Sequence, residues 1–129
     1  HSGWRGTVQD IARHTLEAMN AAYGTRPETV LAAIGPSISP AHYRVGPEVI
    51  EQFGSLFGDT EGLIGPRDAE GGGKLDNAGA VRRQLIEAGV LPDAIWMSDA
   101  CTFADDNLFS CRRAKGGPFG GQAGVIGLT

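Results

Sequence analysis

Cysteine is scarce here: the 129 residues hold two, Cys101 and Cys111, too few for the disulfide framework that staples small secreted domains. Positive charge is also short, with 11 Lys and Arg against 15 Asp and Glu for a formal net charge of -4. The cations are scattered except at Arg82, Arg83 and residues 112–115. The chain therefore lacks the basic face that binding a phosphate backbone requires, and nucleic acid is not expected as a partner. The longest apolar run is VLAAI with its neighbours, far below the roughly 18 to 20 residues that span a bilayer, so no membrane is expected. No basic, apolar and cleavage regions follow one another at the start, and the expected location is the cytoplasm. The motifs GxSxG, HExxH and paired CxxC are absent, and GGPFGG lacks the Lys and Ser/Thr of a phosphate loop.

What is plentiful is glycine, 20 residues, about twice the usual share of roughly 7%. The length suits one domain with a core of its own. From Thr7 to Tyr23, apolar residues at Val8, Ile11, Leu16 and Met19 recur every three or four positions, which predicts one helix capped by Thr7 and stopped at Gly24. VLAAI, ended by Gly35 and Pro36, reads as a buried strand, and GPSISP as a turn. Pro47 starts a second helix, with Val49, Ile50 and Phe53 buried ahead of Gly54. Residues 59–74, rich in glycine, read as a long loop that is either mobile or a lid. LDNAGAVRRQLIEAGV predicts a third helix with Leu75, Ala78, Val81, Leu85 and Ile86 on one side. Three strands are expected after it, in AIWMS, LFSCRR and AGVIGL. This mixed order implies an α+β or layered arrangement rather than a doubly wound parallel sheet.

The opening HSGWRG concentrates chemistry. His1 is a residue type that ligates zinc or copper or acts as a base. Arg5, beside small residues that open a helix start to anions, either clamps phosphate or carboxylate or pairs with a surface acid, with Trp4 packed on the helix. His14 and His42 read as solvated residues of a helix and a turn. After AIWM, at the end of a predicted strand, come Asp99 and Cys101 in SDACT; Cys101 is a nucleophile, a metal ligand or a packed thiol. Arg112 and Arg113, if in a strand, face opposite sides, so at most one serves a given site.

HSGWRGT leading into a helix, then AAIGPSISPAHYRVGPEV, QLIEAGV, SDACT and LFSCRR, in this order, resemble the YfiH or laccase-domain (polyphenol oxidase) family. Its members are also described as peptidoglycan-editing factors and zinc-dependent purine nucleoside phosphorylases. The resemblance covers His1 to about Leu128. It implies a layered sandwich of helices on mixed β-sheets, with residues 1–129 as one domain forming the C-terminal part of a longer protein. It implies that His1 is the third ligand of a zinc or copper ion, the other two standing in the missing N-terminal half. Such a site keeps a position open for water or substrate.

The activities implied are phosphorolysis of adenosine, inosine, guanosine and methylthioadenosine, with deamination of adenosine beside it. The alternatives are amide hydrolysis of mis-incorporated cell-wall precursors, copper-dependent phenol oxidation, and a non-catalytic fragment. Arg5, Asp99 and Cys101 are the candidate catalytic residues, and nucleoside and phosphate the small-molecule partners. Ser2, Ser39 and Cys111 depart from the family's usual alanine, glycine and tyrosine, and residues 59–74 match poorly.

Overall fold

A computed structural model describes residues 1–118 and 120–127. The helix expected from Thr7 to Tyr23 is two helices, α1 (Trp4–Val8) and α2 (Ile11–Tyr23). Asp10 between them adopts φ 54, ψ 41, a left-handed conformation that ends one helix and starts the next in a new direction. Its carboxylate meets Arg13 Nε at 2.6 Å. Thr7 is therefore no cap: it lies inside α1, fully buried. Gly24 does end α2, at φ 66.

Strand β1 (Ala32–Ile34) lies parallel to β4 (Ile95–Met97), with Ala33 opposite Trp96. Both match strands expected from the sequence, but the pair is not buried as VLAAI suggests: Leu31, Ala33 and Trp96 are exposed, as a two-stranded sheet leaves one face uncovered. A second pair, β2 (Arg44–Val45) against β3 (Gly73–Lys74), is antiparallel. Helix α3 (Pro47–Phe57) runs through Gly54, where the sequence suggests its end, and stops at Gly58 with φ 66. Phe53, Phe57 and their neighbours keep an apolar face for that further turn.

Helix α4 (Asn77–Glu87) begins later than the sequence pattern suggests, because Asp76 Oδ1 caps it by accepting the Gly79 N–H at 2.8 Å. Leu75 precedes the helix and is fully buried beside Val45, Ile50, Phe53 and Ala80. A second core forms on the other side of α4, where Leu85 and Ile86 pack near Leu16, Val90 and Ile95. Helices thus lie on two small sheets of mixed direction, a layered α+β architecture.

Residues 59–74 are neither open nor structureless. Arg44 grips Asp68 through Nε at 2.7 Å and Glu70 through Nη2 at 2.6 Å. Asp68 in turn accepts the N–H groups of Glu70 and Gly72 at 3.0 and 2.9 Å. A Cβ on Gly72 would stand 2.6 Å from the Val45 carbonyl oxygen, so only glycine lets the segment lie this close to β2. Leu63 is buried beneath it.

LFSCRR is not a strand. Ser110 Oγ accepts the Arg113 N–H at 3.3 Å, and the cap starts a one-turn helix, α5 (Cys111–Ala114). Residues 123–127 form no strand either, and Leu128 of AGVIGL lies outside the described residues. No helix among the described residues is long and apolar enough to cross a membrane.

Candidate functional site

The HSGWRG stretch is held from below by α4. Asn77 Nδ2 donates to the Ser2 carbonyl at 2.9 Å, and Gln84 Nε2 donates to the Thr7 carbonyl at 2.6 Å. Ser2 Oγ and Thr7 Oγ1 share a hydrogen bond at 3.0 Å. The exposed His1 ring turns back over Gly3, where a Cβ would meet its Nε2 at 3.2 Å. A side chain at Gly3 would thus displace the histidine ring by a few tenths of an ångström.

Arg5 is the second residue of α1, not a residue ahead of the helix. Its guanidinium lies 4.5 Å from the centroid of the Trp4 ring, a stacking geometry that favours arginine over lysine. Both residues face an open cleft of about 540 Å³ whose other walls include Val8, Gln52 and Leu56. No carboxylate among the described residues pairs with Arg5.

The segment GPSISPAHYRV is the spine of the site. Past the β1–β4 ladder the parallel pairing resumes one residue out of register: Ser37 pairs with Cys101 as an isolated parallel bridge, and the Thr102 N–H donates to the Ser37 carbonyl at 3.0 Å. That pairing lets residues 62 apart in sequence meet, and the Ser39 N–H reaches Cys101 Sγ at 3.3 Å. His42 Nδ1 stands 3.6 Å from the same sulfur and 3.2 Å from Ser39 Oγ. The imidazole is stacked on Phe103, with centroids 5.0 Å apart. Partial burial of the Cys101 thiol opposes its ionisation; hydrogen bonds from Ser39 and from the backbone N–H groups of Ala104 and Phe103 outweigh that and bring it down to about 6. Asp99 is exposed two residues earlier on the same loop and forms no ion pair among the described residues.

One residue further along the spine is Tyr43, whose ring lies 5.1 Å from the Arg112 guanidinium. Burial pushes the Tyr43 phenol above its ordinary range, and the positive charges of Arg112 and Arg5 oppose the rise. Arg112 thus sits on the phenol ring, while Arg5 acts on it by charge alone. Arg112 also donates to the Arg44 carbonyl at 3.0 Å and, like Arg5, has no carboxylate partner among the described residues. Arg113 points elsewhere: it binds the carbonyls of Thr102, Phe103 and Asp105 at 2.7, 3.0 and 3.1 Å, together with that of Leu108, and so moulds the loop after Cys101. The two arginines do divide between separate tasks as expected, on a helix instead of a strand.

The sequence does not single out Tyr43, nor the contact of His42 and Ser39 with Cys101. The one local signal is the three-residue spacing of Ser39 and His42 in a turn. Their meeting with Cys101 depends on the Ser37–Cys101 bridge beyond the β1–β4 ladder, which no local pattern encodes. His14, by contrast, is the exposed helix residue that its sequence position implies, bonded to Glu17 at 3.0 Å.

Among the described residues no three His, Cys, Asp or Glu side chains gather in a way that could hold a metal ion. His1 stands without such companions, and these residues do not by themselves fit a zinc or copper site, which takes at least three protein ligands.

Residues 1–129 match the family described as multi-copper polyphenol oxidoreductase laccase. A purine nucleoside phosphorylase of Deinococcus radiodurans is 41% identical over 128 residues, covering 99% of this chain and 47% of that protein. One from Bacteroides thetaiotaomicron is 40% identical over 114 residues, covering 88% and 42%. The crystal structure of the hypothetical protein YfiH of Bacillus licheniformis superimposes with a TM-score of 0.84 at 30% identity, over 90% of this chain and 44% of that one. The chain thus spans about half the length of the relatives it matches. On motifs, fold and matched length together, it belongs to the laccase-domain family of YfiH-like proteins, a family whose description implies metal binding.

Proposed function

We propose that this chain supplies the phosphate-binding face, and one metal ligand, of a purine nucleoside phosphorylase acting in the cytoplasm on adenosine, inosine, guanosine and methylthioadenosine. The observation that carries the proposal is the pair Arg5 and Arg112. Both are free of carboxylates among the described residues and both are stacked on aromatic rings, Arg5 on Trp4 and Arg112 on Tyr43, whose phenol also feels the Arg5 charge. Stacking fixes each guanidinium plane without using its N–H donors; apart from the Arg112 Nη1 bond to the Arg44 carbonyl, these stay available for phosphate oxygens.

In phosphorolysis a phosphate oxygen forms the bond to ribose C1′ as the bond to the purine nitrogen breaks, and the base leaves with the electron pair and takes up a proton. Arg5 and Arg112 would hold the phosphate dianion and orient one oxygen, and the Tyr43 O–H would donate to another. Trp4, Val8 and Leu56 wall the cleft beside Arg5. Asp99, exposed on the loop after β4, is proposed as the acceptor for a sugar hydroxyl. Cys101 meets the same spine at Ser39 and His42 and is given no part in the phosphate step.

His1 enters as one ligand of a zinc ion, with copper as the alternative metal. Its remaining ligands are proposed to come from the part of the relatives that this chain does not cover. Such an ion supplies Lewis acidity and acidified water when bound; the phosphate step itself rests on Arg5, Arg112 and Tyr43.

The test is release of free base from inosine by the longer protein loaded with zinc, with and without phosphate. Formation of base and ribose 1-phosphate in equal amounts is expected, and Arg5→Ala or Arg112→Ala should raise the phosphate KM at least tenfold while changing the nucleoside KM far less. No release from the loaded protein, or release indifferent to phosphate, would overturn the proposal. Ammonia from adenosine in the same assay reports the proposed deaminase activity separately.

A further inference from the structure

The Cys101, His42 and Ser39 cluster takes no part in the phosphate step, yet it sets a basic imidazole nitrogen, shared with the Ser39 hydroxyl, beside a sulfur. The sulfur accepts the Ser39 N–H at 3.3 Å, and His42 Nδ1 lies 3.6 Å away, held by Ser39 Oγ at 3.2 Å and by stacking on Phe103. Cys101 is partly exposed, so small solutes reach it. The loop that carries it is fixed by the Ser37 bridge on one side and the four carbonyl bonds of Arg113 on the other. Cys111 is the natural comparison. It is more exposed, but no hydrogen bond and no base stands at its sulfur among the described residues.

We propose that Cys101 is a site of reversible oxidation by hydrogen peroxide, activated by His42 and Ser39. The thiolate sulfur attacks one peroxide oxygen, forming the S–O bond of a sulfenic acid as the O–O bond breaks. Sulfur is oxidised by two electrons, and the leaving hydroxide takes a proton, from the His42 imidazolium or from solvent, to become water. A thiol restores the cysteine through a mixed disulfide. The donors already present at the sulfur hold it as the nucleophile.

The experiment treats the full-length protein with less than one equivalent of hydrogen peroxide at pH 7 in the presence of dimedone, which traps sulfenic acids, and locates the label by peptide mass spectrometry. Cys101 should be labelled at least tenfold faster than Cys111. His42→Phe keeps a ring against Phe103 and removes the base; it should slow Cys101 labelling several-fold and leave Cys111 unchanged, with far-UV circular dichroism confirming the fold. Equal labelling of the two cysteines in the wild-type protein would overturn the proposal on its own, even where the variant does not fold. So would a folded His42→Phe protein that labels Cys101 at the wild-type rate.

Discussion

Gln84 is a polar residue in an apolar place, and truncating it tests how the HSGWRG stretch is held. It is 1% exposed, donates to the Thr7 carbonyl at 2.6 Å, and leaves its own Oε1 without a partner among the described residues. Gln84→Ala removes the bond, worth about 1 kcal/mol net, and opens a cavity costing about 2 to 3 kcal/mol. Relief of the unpaired Oε1 returns about 1 kcal/mol. The expected net loss is about 2 to 3 kcal/mol.

Gln84→Met separates the two contributions, because it keeps the volume and removes both donor and orphaned acceptor. The Thr7 carbonyl still receives the Asp10 N–H at 2.9 Å and is not stranded. That variant should stay within about 1 kcal/mol of wild type. With a urea slope of about 1.5 kcal/mol per molar, the alanine variant should shift the unfolding midpoint down by about 1 to 2 M, read by circular dichroism. If both variants lost the same stability, the hydrogen bond would be dominant and the packing argument wrong. If neither lost any, Gln84 would not be a strut under α1.

Gly72→Ala forces a Cβ to 2.6 Å from the Val45 carbonyl oxygen and should cost about 1 to 3 kcal/mol in the same denaturation assay. Asp76→Ala removes the cap of α4, with an expected loss of about 1 kcal/mol and reduced amide protection in its first turn, measured by hydrogen exchange. The rate of Cys101 alkylation by iodoacetamide should fall as pH drops through about 6, while a free thiol titrates near 9. Because the folded value lies below the unfolded one, the stability this thiolate contributes is complete above about 9 and lost as pH falls toward 6; Cys101→Ser should flatten that part of the stability profile.

Much of the fold is written in local patterns. The stripe of α3, the end of α2 at Gly24 and the two short strands β1 and β4 follow from periodicity and turn chemistry, whereas α4 buries Asn77, Ala80 and Gln84 in place of the expected Ala78 and Val81. Differences arise where tertiary contact decides. Asp10 breaks what periodicity reads as one helix, because its carboxylate finds Arg13 in a left-handed turn. Residues 59–74 read as a loop because their order comes from Arg44, 24 positions away in sequence from Asp68. LFSCRR carries strand-like residues, but the Ser110 cap makes it a helix.

The site is half legible. His1, Arg5, Asp99 and Cys101 are chemistry-bearing residues next to glycines or at a strand end, which draws attention to them. Tyr43 and Arg112 acquire meaning only when α5 folds back over the spine and sets a guanidinium on the phenol ring. Ser39 and His42 likewise meet Cys101 only through the Ser37–Cys101 bridge.

The central claim, a phosphate held between Arg5 and Arg112, is tested most directly by equilibrium binding of phosphate to the full-length protein, wild type against the Arg5→Ala, Arg112→Ala double variant. The account predicts saturable binding by the wild type that weakens on the order of a hundredfold in the double variant, at about 1.4 kcal/mol per decade of affinity lost at each arginine. Undiminished phosphate binding by a folded double variant would contradict it.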